Sequence, residues 1–110
     1  MPFDTLQTEV DECGVCTVWL DRPEKHNAMS EQMIADLSAM AAELRQSDAR
    51  VVVLAGRGKS FCAGGDLKWM QAQMAADCNT RALAARALAM MLKSWNTLPQ
   101  PVIGRIHGNA

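Results

Sequence analysis

The sequence contains no run of about 18 apolar residues, which excludes a membrane-spanning helix. It also lacks a charge excess of either sign: 11 Lys and Arg stand against 12 Asp and Glu, a net charge of −1. That balance gives no footprint for nucleic acid or an anionic membrane, and neither is expected as a partner. The opening residues, Met1-Pro2-Phe3-Asp4, lack the basic and apolar regions of a signal peptide, so a cytoplasmic location is expected. Internal repeats, linkers and low-complexity stretches are missing. What remains is an ordinary globular composition, 49% apolar and 21% charged, over 110 residues. That length suits one small domain, which hides roughly 65% of its unfolded surface.

Cysteine is present but unorganised. Cys13-Gly14-Val15-Cys16 has the spacing of half a zinc ribbon or a redox pair, yet no second such pair exists. His26 and His107 lie at no ligand spacing from it. A disulfide framework fits poorly with a Met-rich, helix-rich chain. Cys13, Cys16, Cys62 and Cys78 therefore read as reduced thiols, and no metal is expected.

Hydropathy periods divide the chain into strands and helices. Leu6, Thr8 and Val10 alternate with polar residues, a turn follows at Asp11–Gly14, and Val15 to Leu20 is β-rich, which predicts an antiparallel hairpin. Arg22-Pro23 opens a polar loop through Asn27. From Ser30, a candidate N-cap, Met33, Ile34, Leu37, Met40, Ala41 and Leu44 mark one face of a helix. Val51 to Ala55 is a continuous apolar run, as expected for a strand of a parallel sheet buried on both faces, joined to the hairpin by a right-handed crossover. A glycine-rich loop, Gly56 to Asp66, leads to a short helix over Leu67–Met74 capped by Asp66. Thr80 to Trp95 predicts a longer helix with Leu83, Ala87, Met91 and Trp95 on its inner stripe. Pro101 introduces a further buried strand through Ile106. Helical methionines are expected in the core, and Trp69 and Trp95 in the core or at an interface.

The loop carries the candidate chemistry. Gly56-Arg57-Gly58-Lys59-Ser60 is not a phosphate loop, because Val53 occupies the first glycine position of a Walker motif and Phe61 the third of GxGxxG. Ala63-Gly64-Gly65-Asp66 has two readings. Its N–H groups, with a helix N-terminus behind them, suit a ligand carbonyl or developing enolate; alternatively it is a tight turn with a helix cap. Lys59 and Lys68 flank it, either as phosphate contacts or as solvated charges. His26 is a candidate general base with no partner visible in the sequence.

Three segments, in order, resemble the enoyl-CoA hydratase/isomerase (crotonase) superfamily. Leu20-Asp21-Arg22-Pro23-Glu24-Lys25-His26-Asn27-Ala28 resembles its RPxxxNA segment, and Ser60 to Lys68 its F-x-A-G-x-D-[LI] loop. Pro101-Val102-Ile103 through Gly108-Asn109-Ala110 resembles its P-V-I-A-x-V-x-G-x-A strand. The resemblance implies an α/β fold, a crotonase-like ββα spiral, with residues 1–110 forming the N-terminal part of a single domain. It implies an acyl-CoA thioester as ligand, with coenzyme A part of the substrate and no separate cofactor. Gly65 N–H would be one of two oxyanion donors. Glu24, Lys25, His26, Ala28, Ala63, Asp66 and Leu67 would line the adenine and pantetheine pocket, and Lys59 and Lys68 would lie near phosphates. Asp66-Leu67-Lys68-Trp69-Met70-Gln71 looks closest to methylglutaconyl-CoA hydratase-type members. In the family the second donor and the catalytic glutamates fall beyond the position of Ala110, so a fragment, or a chain that cannot catalyse, is expected. A homotrimer or dimer of trimers is expected for the complete member. The rival readings are a non-catalytic protein of this fold that binds acyl-CoA or a partner chain, and a small α/β domain of unrelated function.

Overall fold

The computed structural model describes residues 3–110; the reading of Met1 and Pro2 at the chain start lies outside them. Four strands form one sheet in the order β1-β2-β3-β4: Leu6–Val10, Val15–Leu20, Val51–Gly56 and Val102–Arg105. β1 and β2 are the expected antiparallel hairpin, with Leu6 opposite Leu20 and Val10 opposite Cys16. β2, β3 and β4 run parallel. The first crossover is α1 (Glu31–Arg45); the second is the pair α2 (Leu67–Ala75) and α3 (Cys78–Asn96).

Alternation in β2 and the 3.6-residue period of α1 make the core. Cys16, Val18 and Leu20 point to one side of the sheet, where they meet Met33, Ile34, Leu37, Met40 and Leu44 with Val52 and Met91. Ser30 caps α1 through its side chain, which accepts from Met33 N–H at 3.2 Å. Trp95 Nε1 donates to the Leu37 carbonyl at 2.9 Å and anchors α3 on α1. All four cysteines are free thiols, and among the described residues no cluster of three or more His, Cys, Asp or Glu could hold a metal. No described helix is long and apolar enough to cross a membrane.

Several expected burial patterns are corrected. In β1 only Leu6 is buried, because a cavity of about 440 Å³ opens between the hairpin tip and the end of α1, leaving Thr8 and Val10 exposed. β3 is not buried on both faces: Val52, Ala55 and Gly56 are buried, but Val51 and Val53 are half-buried because no described helix covers their side of the sheet. Leu54, on the side of Val52, is half-buried where a cavity opens beside Trp95 and Leu98. β4 is exposed along its whole length, being an edge strand with β3 as its one partner among the described residues. On α3 the inner stripe is Ala84, Leu88, Met91 and Trp95, while Leu83 is 69% exposed and Ala87 also faces out. Steps of four residues precess about 40° each around a helix of 3.6 residues per turn, so a stripe of strict fours walks off the contact face. Met33, Met40 and Met91 are core residues as expected, but Met70, Met74 and Met90 are exposed.

Candidate functional site

Two loops at the C-terminal ends of β2 and β3 are joined side by side. Arg22 to Met29 follows β2, and Arg57 to Asp66 follows β3. Asn27 ties them. It is fully buried, takes a left-handed conformation at φ 57°, and its Nδ2 approaches the carbonyls of Arg57 (2.9 Å), Ser60 (2.9 Å) and Phe61 (3.1 Å). Its Oδ1 accepts from Arg22 N–H at 2.8 Å. His26 is left-handed too, at φ 52°. Two consecutive non-glycine residues in this region persist only where their surroundings over-determine them.

Beyond Asn27 the loops form a short parallel ladder. Ala63 N–H donates to His26 (2.9 Å), Met29 N–H to Gly64 (2.7 Å) and Asp66 N–H to Met29 (2.9 Å). In this pairing Met29 uses both of its polar groups on the residues either side of Gly65. The N–H of Gly65 is thereby turned away from Met29, and among the described residues it has no protein acceptor. Gly64 needs its φ of 99° but has nothing within 4 Å of a Cβ; Gly65 has no such φ, and a Cβ there would meet only the Met70 side chain, from 3.3 Å.

Asp66 closes the ladder and starts α2. Its Oδ2 accepts from Trp69 N–H at 3.1 Å, and its Oδ1 pairs with Arg22 at 3.3 Å. The Trp69 amide first, and the Arg22 guanidinium beside it, hold the carboxyl below the usual carboxylate range despite its burial. The same guanidinium donates to the Ala28 carbonyl at 2.7 Å, so Arg22 spans both loops.

These elements enclose a cavity of about 480 Å³, within the range of small-molecule sites. Arg22, Glu24, Lys25, His26 and Ala28 line it from the first loop, and Ala63, Gly65 and Asp66 from the second. Leu67, Lys68 and Met70 line it from α2. The structure therefore brings together every residue expected at the site except Lys59, which is exposed next to Ser60 and outside the lining. His26 does have a partner: its Nδ1 lies 3.2 Å from Ser60 Oγ. Sequence reasoning did not single out Asn27, Arg22, Ser60 or Met70 for the site. The first two lie in the RPxxxNA segment, where their signal was available; Ser60 and Met70 are placed by backbone geometry that no local pattern reveals.

The profile of the enoyl-CoA hydratase/isomerase family matches residues 11–110. A Mycobacterium tuberculosis protein named "Probable enoyl-CoA hydratase echA6" is 36% identical over 97 residues, covering 88% of this chain and 37% of the relative. A "Probable enoyl-CoA hydratase" of Rhodobacter capsulatus is 32% identical over 110 residues, covering 100% of this chain and 41% of the relative. The crystal structure of an enoyl-CoA hydratase from Shewanella pealeana superimposes with a TM-score of 0.92 at 30% identity, covering 96% of this chain and 40% of that one. The chain thus spans about two fifths of the length of these relatives. Its four-stranded α/β arrangement is the corresponding part of their fold. By its matched profile and its fold, the chain belongs to the enoyl-CoA hydratase/isomerase family.

Proposed function

We propose that this chain supplies the coenzyme A pocket and one oxyanion donor of an enzyme acting on acyl-CoA thioesters. The observation that carries the reading is the Gly65 amide, exposed in the cavity lining with no protein acceptor among the described residues. A thioester carbonyl that accepts from it becomes a better electron sink, and the Cα carbanion or enolate becomes accessible. A second donor and acid/base groups then direct the enolate toward hydration or isomerisation. The cavity's cationic Lys25 and Lys68, with Lys59 on the neighbouring turn, suit the phosphates of coenzyme A, while Ala28, Ala63 and Leu67 offer apolar surface to adenine and pantetheine. The proposal extends to no separate cofactor, a homotrimer or dimer of trimers for the whole protein, and a cytoplasmic location.

The test is a chimaera in which residues 1–110 replace the matching segment of the Rhodobacter capsulatus relative, assayed for hydration of a 2-enoyl-CoA. Gly65→Ala keeps the N–H and asks only a small shift of Met70, so turnover stays within about tenfold. Gly65→Pro removes the donor, and loss of one oxyanion donor costs about 10²–10³ in turnover. Coenzyme A affinity, measured in parallel, checks that the proline variant still folds and binds. Equal turnover of the two variants reduces Gly65 to a turn residue. Coenzyme A binding without turnover in the parent chimaera favours a non-catalytic binding protein instead.

A further inference from the structure

Ser60 is buried at 3% exposure on the turn behind the cavity, and His26 lines the cavity itself. Their contact, Ser60 Oγ to His26 Nδ1 at 3.2 Å, is the one hydrogen bond the hydroxyl makes among the described residues. Two proton arrangements satisfy that distance. If Nδ1–H donated, the serine proton would be left buried without an acceptor, which is the costlier arrangement. If the hydroxyl donates to Nδ1, both groups are satisfied and the ring proton sits on Nε2. The backbone holds the same geometry from both sides: His26 N–H donates to Pro23 at 3.1 Å, and its carbonyl accepts from Ala63 at 2.9 Å. Nε2 has no protein partner among the described residues.

We infer that His26, oriented by Ser60, is a specificity-determining contact that donates its Nε2–H to a phosphate oxygen of the bound ligand. The charges around the cavity favour an anion there. Arg22 and Asp66 neutralise each other, and Lys25 and Lys68 outnumber Glu24. Ser60 acts only through the imidazole and is a positioning residue. The inference rests on the acyl-CoA reading for the identity of its ligand but not for its chemistry, which a simpler phosphoanhydride shares.

The test uses the chimaera described above, labelled with ¹⁵N-histidine, in mildly alkaline buffer where imidazole is neutral; the His26→Asn variant assigns the His26 signals. His107 is an internal reference, because its Nε2 lies 2.7 Å from the Gly58 carbonyl, which only accepts. Long-range ¹H–¹⁵N spectra are expected to show His26 protonated at Nε2, with the preference lost in Ser60→Ala and His107 unmoved. Titration with ADP should shift the His26 Nε2 resonance. Ser60→Ala and His26→Asn, the latter tolerant of the left-handed backbone, should each weaken ADP by about fivefold, as fits an exposed charge-assisted bond. Pantetheine, which has no phosphate, should bind all three proteins alike. A ring protonated at Nδ1, an ADP titration that leaves Nε2 unmoved, or full ADP affinity in both variants overturns the inference. Coenzyme A failing to bind while ADP still shifts His26 sinks the acyl-CoA reading and leaves the inference standing.

Discussion

Asn27 turns every polar atom of its side chain toward backbone, and the turn after β3 depends on it. Removing the side chain leaves the carbonyls of Arg57, Ser60 and Phe61 and the Arg22 amide without their partner, and leaves alanine at a φ of 57°. Asn27→Ala is expected to destabilise the fold by about 3–5 kcal/mol, read as a fall in urea midpoint. Asn27→Gly relieves the backbone alone; if it recovers most of the loss, strain rather than hydrogen bonding dominates. Asp66 makes a pH prediction. Its folded carboxyl is held below the ordinary range by the Trp69 amide and Arg22. Its contribution is therefore complete above the ordinary carboxylate range and is lost as pH falls through the lowered folded value. Asp66→Asn, which still caps α2, should flatten the acid limb of stability against pH and leave the part due to Asp77, similarly lowered by its bond to Thr80 N–H. An acid limb unchanged by the substitution would show that the Asp66 charge, through its Trp69 amide and Arg22 partners, contributes nothing. Both residues fall inside segments whose family resemblance was legible. Their partners across the loops were not, because Asn27 meets carbonyls 30 to 34 positions away.

Elements were legible where one period dominated. Ser30 and the α1 stripe agree with the burial they imply, and the β-rich run Val15–Leu20 is a strand, though its alternating burial comes from packing rather than from alternating residue types. α3 is different: Ala, Leu and Met occupy all of its faces, so the sequence offers several equally apolar stripes and only packing on α1 selects one. The choice is measurable. Met91, buried under α1, should cost about 2–4 kcal/mol as Met91→Ala, whereas the exposed Leu83 should change stability by less than about 0.5 kcal/mol as Leu83→Ala. Similar losses at both positions, measured by chemical denaturation, would mean that α3 is rotated from the orientation described.

At the scale of the whole molecule, the open surfaces dominate. A compact chain of this length has a radius of gyration of about 13 Å; the value here is 14.2 Å, with extents of 47 × 29 × 21 Å. The excess reflects one sheet covered by helices on one side only. Trp19 on the open side is flanked by Arg57, whose guanidinium lies 3.9 Å from the ring centroid, and stands opposite the buried Ala55 in the sheet. Large apolar side chains remain in solvent on two regions: Leu67, Met74, Leu83 and Leu92 on α2 and α3, and Val102, Ile103 and Ile106 around the edge strand β4. An unpaired strand edge beside such residues is a template for another chain, and a net charge of −1 gives little repulsion to oppose it. The 110-residue chain is therefore expected to self-associate at micromolar concentration, with a broad thermal transition. Ile103→Glu places a negative charge on the edge and raises the net charge in the same direction, so it should shift sedimentation toward monomer. Gln71→Glu makes the same change of charge at an exposed polar position of α2, which separates the edge from net repulsion. If Ile103→Glu acts alone, β4 is the associating edge; if both act equally, charge rather than the edge governs solubility. A parent chain that sediments as a monomer and melts in one sharp transition would show that these open faces are stable in water as they stand.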